Sequence, residues 1–194
     1  MKKFFKSDWF KCTAVLLGLL IVLGGTLAVL NDVLFVSPEE RTARAISKFY
    51  DTTPSYEVIL DADAENSKRE ENQFGYIEKI FEIGDETLFK STGINGYKGG
   101  TITLWLKVVK NEQGYKIEKI VLDGYEKQTL MSKFDAKYFR TFTDVTFDYE
   151  NKNSIFSPKN NGEGLTAPMT GATYSANAAC NAVNCVLAYL GGME

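Results

Sequence analysis

The stretch "GGTITLWLKVVKNEQGYKIEKIVLDGY", residues 99–125, carries the clearest strand pattern in the chain. Apolar residues occupy every second position of its first half: Ile102, Leu104, Leu106 and Val108. A period of two places these side chains on one face of a β-strand. The segment "NEQG", residues 111–114, has the composition of a turn, and residues 117–122 form the returning apolar run. The stretch therefore predicts an antiparallel β-hairpin.

Two further segments before this hairpin indicate strands. "GYIEKIFEIGDETLFKSTG", residues 75–93, alternates apolar and polar residues in short stretches. "SYEVILDADAENSKREENQ", residues 55–73, begins as a strand that we expect to carry Tyr56, Val58 and Leu60 on one face. It continues into a highly charged run, which we interpret as a solvated loop.

Helical signals flank these strands. In "SPEERTARAISKFYD", residues 37–51, Ser37 is the expected N-cap, with Pro38 in the first turn and Glu40 three residues beyond the cap. "KFDAKYFRTF", residues 133–142, predicts a short helix.

The last element is a predicted helix over residues 175–190, which Gly191 and Gly192 terminate. Its expected buried stripe consists of Ala176, Ala179, Val183, Leu187 and Leu190. Before it, "TDVTFDYE", residues 143–150, indicates a strand, and "NKNSIFSPKNNGEG", residues 151–164, indicates a loop. Strands with antiparallel hairpins interleaved with helices give an α+β class and a single domain.

The N-terminal segment has the features of a membrane anchor. "CTAVLLGLLIVLGGTLAVLN", residues 12–31, contains twenty residues without a charge. As a helix it would span about 30 Å, the thickness of a bilayer's hydrocarbon core. Four lysines precede it and acidic residues follow it, so the positive-inside rule places the N-terminus in the cytoplasm.

We therefore expect a basic cytoplasmic segment over residues 1–11, a transmembrane helix over 12–36 and an exported domain over 37–194. The competing interpretation is a cleaved signal peptide. The apolar run is longer than a usual signal core, and its small residues near positions 24–28 lie inside it, which favours a retained single-pass anchor in the cell membrane.

Charge and composition exclude several classes of function. The chain has a net charge of −3; residues 1–11 contribute +3, so the remainder carries −6. An acidic domain argues against a nucleic-acid partner, which requires a basic face. The chain has no histidine, which removes His-based catalysis and most zinc sites. Of its three cysteines, Cys180 and Cys185 are too far apart on a helix to form a disulfide, and we expect both to pack as small helix residues.

The turn before the last helix, in "MTGATYSANAACNAV", residues 169–183, is rich in hydroxyls. Gly171 and Ala172 add almost no bulk, so a ligand is able to approach the backbone closely. Thr173 then presents a hydroxyl where the first helical amides lack intrahelical partners, a site that favours phosphate. Thr170 and Ser175 offer further hydroxyls. The alternative is that Thr173 or Ser175 simply caps the helix.

This turn resembles the flavinylation motif [S/T]-G-A-T-x-[S/T] of the FMN-binding domain family. That family includes the G subunit of the Rnf electron-transport complex and the C subunit of the sodium-pumping NADH:quinone reductase. Both have one N-terminal transmembrane helix and an exported domain with the motif near its C-terminus, the layout predicted here. The resemblance implies that Thr173 carries FMN through a phosphoester bond, with Thr170, Gly171, Ala172 and Ser175 completing the motif.

A weaker resemblance concerns the flavin pocket. The segment "GYKGG", residues 96–100, is similar to the family's "GYGGPI", which implies cofactor contacts for Tyr97, Gly99 and Gly100. Where the family commonly has "ETPGLG", this chain has "KQTLMSKF", and only Thr129 matches. The missing Pro-Gly implies a reshaped isoalloxazine pocket. In addition, Ala167 stands where the flavin transferase usually requires Asp.

The resemblance implies an electron carrier with covalent FMN as its cofactor. It would act as a subunit of an Rnf-like translocase that couples ferredoxin:NAD electron flow to sodium or proton transport. The implied partners are the other membrane subunits, the flavin transferase and the lipid bilayer. No nucleic-acid partner, catalytic residue, metal site or complete active site is expected. Two alternatives remain: a stand-alone anchored flavoprotein for extracellular electron transfer, and a non-redox anchored surface domain.

Overall fold

The computed structural model describes residues 8–34, 36–52, 54–64, 67–112, 114–143, 145–147, 156–157, 165–166 and 172–192. The structure is α+β, with an apolar N-terminal helix, an antiparallel sheet and a C-terminal helix. Contacts divide the chain into two units, Met1–Thr42 and Ala43–Glu194. Ala167, Thr170 and Gly171, which the sequence singled out, lie outside the described residues.

The first unit contains helix α1, Asp8–Leu34, and the start of helix α2, Pro38–Ile46. The segment Trp9–Leu34 has a hydropathy of 2.5 and spans about 39 Å as a helix, so it is long and apolar enough to cross a bilayer. Its apolar side chains are exposed; Leu20, for example, is 70% exposed. At the start of α2 the Glu40 backbone N–H donates to Ser37 Oγ at 3.1 Å, which confirms the predicted N-cap.

The second unit is built on a seven-stranded sheet whose paired strands are all antiparallel. The strands are β1 Glu57–Asp61, β2 Glu70–Asn72, β3 Gly75–Ile83, β4 Glu86–Gly93, β5 Thr101–Asn111, β6 Gly114–Glu126 and β7 Thr146–Phe147. Their order is β1-β3-β4-β5-β6-β7, and β2 also pairs with β3. The predicted hairpin is confirmed as β5 and β6, which pair from Thr101 opposite Glu126 to Asn111 opposite Gly114.

Both faces of the sheet are covered. Helix α4, Thr173–Leu190, packs on one face, where the α4-side core contains all four predicted hairpin residues: Ile102, Leu104, Leu106 and Val108. The opposite face carries a smaller core, formed by Ala45, Ile46, Phe81, Ile83, Leu88 and Trp105. Trp105 lies between two of the predicted inward residues and is also buried, at 3% exposure, because this face of the central strands is covered as well.

The expectation that Tyr56, Val58 and Leu60 share one face of a strand is wrong. The register of β1 shifts between Val58, which lies opposite Phe81, and Leu60, which lies opposite Ile80. Phe81 belongs to the smaller core and Ile80 to the α4-side core, so this bulge places Val58 and Leu60 on opposite faces. One extra residue in a strand moves the side chains that follow it to the opposite face of the sheet.

The segments between the sheet and α4 follow the predictions in part. The short helix is confirmed as α3, Ala136–Thr143, which Asp135 caps by accepting the Tyr138 N–H at 2.9 Å. The predicted strand over 143–150 is present as β7 in its described part. Within the segment expected to be a loop, Phe156–Ser157 instead forms β8, which pairs in parallel with β9, Leu165–Thr166. Asn184 fixes this strand, because its amide both accepts from and donates to the Phe156 backbone at 2.8 Å.

Helix α4 begins two residues earlier than predicted and is buried far more widely than one stripe. Every residue from 178 to 188 is buried, along with Ser175 and Ala176, whereas Leu190 is only partly buried. Gly93 permits this close packing, since a Cβ there would stand 2.0 Å from the Ala178 carbonyl oxygen. The predicted end is confirmed, because the Gly191 N–H donates to the Leu187 carbonyl at 2.8 Å.

Candidate functional site

The N-terminal end of α4 holds the hydroxyl residues of the predicted motif. Thr173 is the first helical residue and is half-buried, Tyr174 is 67% exposed, and Ser175 is buried. The N-cap position is Ala172, whose side chain has no hydroxyl. Ser175 Oγ donates instead to Gln128 Oε1 at 2.8 Å and to the Thr129 carbonyl at 3.3 Å. The interpretation of Thr173 or Ser175 as the helix cap is therefore wrong.

Gln128 joins three segments at this point. Its Oε1 accepts from Ser175 Oγ and from the Tyr97 backbone N–H at 3.1 Å, and its Nε2 donates to the Glu126 carbonyl at 2.9 Å. The single side-chain amide of Gln128 is thus hydrogen-bonded to the start of α4, to the loop over residues 94–100 and to the end of β6. The sequence analysis missed Gln128, although it singled out the neighbouring Thr129. An isolated glutamine after a strand gives no local signal of such a role.

Two asparagines on α4 attach the loop over residues 94–100 to the helix. Asn181 Nδ2 donates to the Ile94 carbonyl at 2.8 Å, and Asn177 Nδ2 donates to the Asn95 carbonyl at 3.0 Å. These residues are four apart and therefore lie on the same side of the helix. Together with Gln128 they fix Tyr97 and the glycines that follow it beside the first turn of α4.

Unusual backbone conformations concentrate in the two loops of this site. Within the described residues, the non-glycine residues with positive φ are Asn95, Lys98, Lys127 and Leu130. All four lie in the loop over residues 94–100 or directly after β6. A left-handed residue costs about 1–2 kcal/mol and persists only where surrounding contacts hold it. Tertiary contacts in these two loops therefore hold residues in backbone conformations that their side chains disfavour.

The two predicted glycines of this loop have different roles. At Gly100 a Cβ would stand 2.1 Å from the Glu126 carbonyl oxygen and 2.6 Å from Gln128 Nε2, so the residue allows the loop to approach β6. Gly99 has open space around it and a φ of +70°, which favours glycine for its backbone conformation.

Aromatic rings and positive charge surround the helix start. The Tyr97 and Tyr174 ring centroids are 6.4 Å apart, and Lys98 Nζ lies 5.4 Å from the Tyr97 centroid. Residues 94–100, 127–134 and 172–192 contain no Asp or Glu. The amides of the first helical turn, the adjacent hydroxyls and the absence of carboxylates in these segments suit a bound phosphate. The half-buried ring of Tyr97 beside them suits a planar aromatic group, and the neighbouring Tyr174 ring is exposed.

Of the predicted site residues in the described part, Thr173, Ser175, Tyr97, Gly99 and Gly100 lie in this region, with Ala172 directly before the helix. Thr129 contributes its backbone carbonyl, which accepts from the Ser175 hydroxyl. At the two positions after Thr129, where the resemblance led us to expect Pro-Gly, Leu130 is left-handed and a 3₁₀ turn begins at Met131. The described residues thus include hydroxyl and amide donors of the kind that bind a phosphate.

A group of ion pairs lies on the sheet away from this site. Lys107 Nζ contacts Glu86 at 2.7 Å and Glu118 at 2.9 Å. Burial would raise the pKa of Glu86, but hydrogen bonds from Lys107 and Tyr50 outweigh it and hold that pKa below its ordinary value. Because these groups neutralise one another between β4, β5 and β6, they stabilise the sheet.

The fold and the site define an α+β domain with an uncharged, hydroxyl-bearing helix start that suits an anion, preceded in the chain by an apolar helix of membrane-spanning length. No protein-family model, curated protein or solved structure matches the chain.

Proposed function

We propose that this protein is a membrane-anchored, electron-carrying flavoprotein with FMN attached to Thr173 through a phosphoester bond. It would serve as a subunit of an ion-translocating oxidoreductase complex of the Rnf kind. The observation that carries the proposal is the position of Thr173. It is the half-buried first residue of α4, beside the network of Gln128, Ser175 and Tyr97.

Each group at the site has a part in holding the cofactor. The amides at the start of α4 and the helix dipole would bind the phosphate. The half-buried ring of Tyr97 offers apolar surface to the isoalloxazine. Gln128 holds the loop of Tyr97 and the start of α4 in a fixed relation, which keeps that ring and the Thr173 hydroxyl together.

The attachment is a balanced phosphoryl transfer if FAD is the donor. The Oγ–P bond to Thr173 forms as the pyrophosphate bond of FAD breaks, which releases AMP and the hydroxyl proton. A flavin transferase would bind FAD and supply the base, because the chain has no histidine and the segments around Thr173 have no carboxylate. FMN, when bound, supplies the redox chemistry.

Helix α1 would anchor the protein, with the basic N-terminus in the cytoplasm and the domain on the extracytoplasmic face. A covalent tether suits this location, since an FMN lost from an exported domain would diffuse away. The sequence has no GxGxxG motif for a nicotinamide cofactor, and its three cysteines are too few for the four ligands of an iron–sulfur cluster. The chain would thus pass electrons between partner subunits.

Peptide mass spectrometry tests the proposal. The full chain is co-expressed with a flavin transferase and digested, and the peptide that contains Thr173 is examined. We expect a mass increase of one FMN less one water, with fragment ions that place it on Thr173. An unmodified peptide, obtained while a known substrate of the transferase is modified in the same cells, would contradict the proposal. Purification in mild detergent distinguishes a complex subunit from a stand-alone flavoprotein, because only the former should co-purify with polytopic subunits.

A further inference from the structure

The exposed large apolar side chains of the domain fall into two groups. In the described residues of 43–194, Tyr56, Val58 and Ile59 lie at β1, and Tyr189 lies in the last turn of α4. The other three are Tyr125, Leu130 and Tyr174, which are 54%, 53% and 67% exposed. All three belong to segments at the N-terminal end of α4. Exposed apolar clusters of this kind mark interaction surfaces.

Contacts between their segments place these three residues at the same end of the domain. Tyr174 follows Thr173 and its ring lies beside Tyr97. Leu130 follows Thr129, whose carbonyl accepts from Ser175. Tyr125 lies opposite Ile102 in the β5–β6 ladder, and Ile102 is in the α4-side core, so Tyr125 stands on the α4 face of the sheet at that end.

The segments that carry this group, residues 94–100, 125–134 and 172–192, have a net charge of +2, from three lysines against Glu126, although the chain after residue 11 carries −6. Lys98 and Lys127 are exposed, and their loops touch, because a Cβ at Gly100 would lie 2.9 Å from Lys127 Cβ. Glu126, between Tyr125 and Lys127, is the one carboxylate residue in these segments. An apolar centre with a cationic rim is complementary to an acidic protein surface.

We propose that Tyr125, Leu130 and Tyr174, with Lys98 and Lys127, form the docking surface for an acidic redox protein that exchanges electrons with the cofactor on Thr173. This inference rests on the proposed function and adds the chemistry of the partner. In each encounter one electron leaves the reduced flavin and enters the oxidised centre of the partner, and any proton released goes to solvent. The lysines steer the encounter, and the apolar side chains exclude water from the contact.

The first test needs no flavin. The full chain, ¹⁵N-labelled in nonionic detergent, is titrated with hexacyanochromate(III), a redox-inert paramagnetic anion, and separately with the cation hexaamminechromium(III). We expect the anion to broaden the amide signals of residues 97–100, 127–131 and 173–175 selectively, and Lys98→Glu/Lys127→Glu to remove that broadening. Uniform broadening, or a preference for the cation at these amides, would overturn the proposal.

The second test uses flavin-loaded protein. The reduced flavin is oxidised by ferricyanide or by hexaammineruthenium(III) in a stopped-flow instrument at several ionic strengths. We expect the ferricyanide rate constant to fall with salt and to drop about tenfold in Lys98→Glu/Lys127→Glu at low salt, while the ruthenium rate constant rises. The matched control is Lys110→Glu, at the far end of β5, which should change either rate constant less than about twofold.

The outcomes separate the two proposals. If the purified protein contains no flavin and Thr173 is unmodified, the proposed function is contradicted. The titration with the chromium complexes, which needs no flavin, then still tests the docking surface. If the protein contains flavin, but the rate constant of its oxidation by ferricyanide does not change with salt or with the two lysine substitutions, the cofactor is supported and the docking surface is overturned.

Discussion

At Gln128 one side-chain amide bonds to a helix, a loop and a strand that are far apart in the sequence. Replacement by leucine keeps the approximate volume but removes the acceptor of the Tyr97 N–H and the shorter of the two hydrogen bonds of the Ser175 hydroxyl, which retains the Thr129 carbonyl. A buried donor left without a partner costs about 1–3 kcal/mol. We therefore expect Gln128→Leu to lower the free energy of unfolding by about that amount, measured by denaturant unfolding of the full chain in detergent.

The control for this prediction is Gln73→Leu. Gln73 is exposed in the turn between β2 and β3, so we expect a change within about 0.5 kcal/mol. Equal effects of the two substitutions would show that the Gln128 network does not contribute to stability.

The cysteines give a second prediction at the scale of single residues. Cys180 and Cys185 are free and buried, and burial raises their pKa values to about 12 and about 11. A raised pKa keeps each thiol protonated, and therefore unreactive, at pH 8.5. We expect iodoacetamide to modify neither cysteine in the folded domain and both in urea, as read by peptide mass spectrometry. Rapid modification of either one in the folded protein would contradict its burial.

The packing of α4 on the sheet depends on Gly93. A Cβ at this position would stand 2.0 Å from the Ala178 oxygen and 2.2 Å from the Ala182 nitrogen, both of the helix backbone, so the whole helix would have to move. Overpacking of this kind costs about 1–3 kcal/mol or more. We expect Gly93→Ala to destabilise the domain by at least that much. Gly124→Ala, where a Cβ meets nothing within 4 Å, should have little effect; a similar loss in both variants would refute the close approach.

The elements that the sequence predicted well are those whose pattern is local. The β5–β6 hairpin follows from a period of two over Ile102 to Val108, and the cap of α2 follows from Ser37 and Glu40. The bulge in β1 was missed because it depends on pairing with β3 rather than on the composition of β1. The burial of every α4 residue from 178 to 188 was missed because a helix rich in alanine shows a weak apolar stripe although its small side chains pack closely on every side.

In the whole molecule, the site depends on contacts between residues that are distant in sequence. Asn177 and Asn181 bond to carbonyls 82 and 87 residues away, and Ser175 bonds to a side chain 47 residues away. Single-sequence patterns contain no signal for such pairs. Thr173 was singled out by its position at the start of the helix and Tyr97 through the resemblance to the FMN-binding domain family, whereas Gln128, which holds their segments in place, was not.

The arrangement of the chain about a membrane gives a prediction at this scale. In a Cys12→Ala background, whose remaining cysteines are buried, we expect a membrane-impermeant maleimide to label Lys110→Cys in intact cells. Lys6→Cys should react only after permeabilisation, and the protein should stay in the membrane after an alkaline carbonate wash. The reverse labelling pattern would place the domain in the cytoplasm, and release by carbonate would contradict the anchor.

The central claim is that Thr173 carries a covalent flavin. The most direct measurement is ultraviolet fluorescence of the denatured protein in a gel after co-expression with a flavin transferase. The wild-type chain is compared with Thr173→Ala and with Thr143→Ala, a substitution at the end of α3. We predict a fluorescent band in the wild type and in Thr143→Ala and a dark band in Thr173→Ala. A dark wild-type band beside a labelled positive control, or a band that stays fluorescent in Thr173→Ala, would contradict the account.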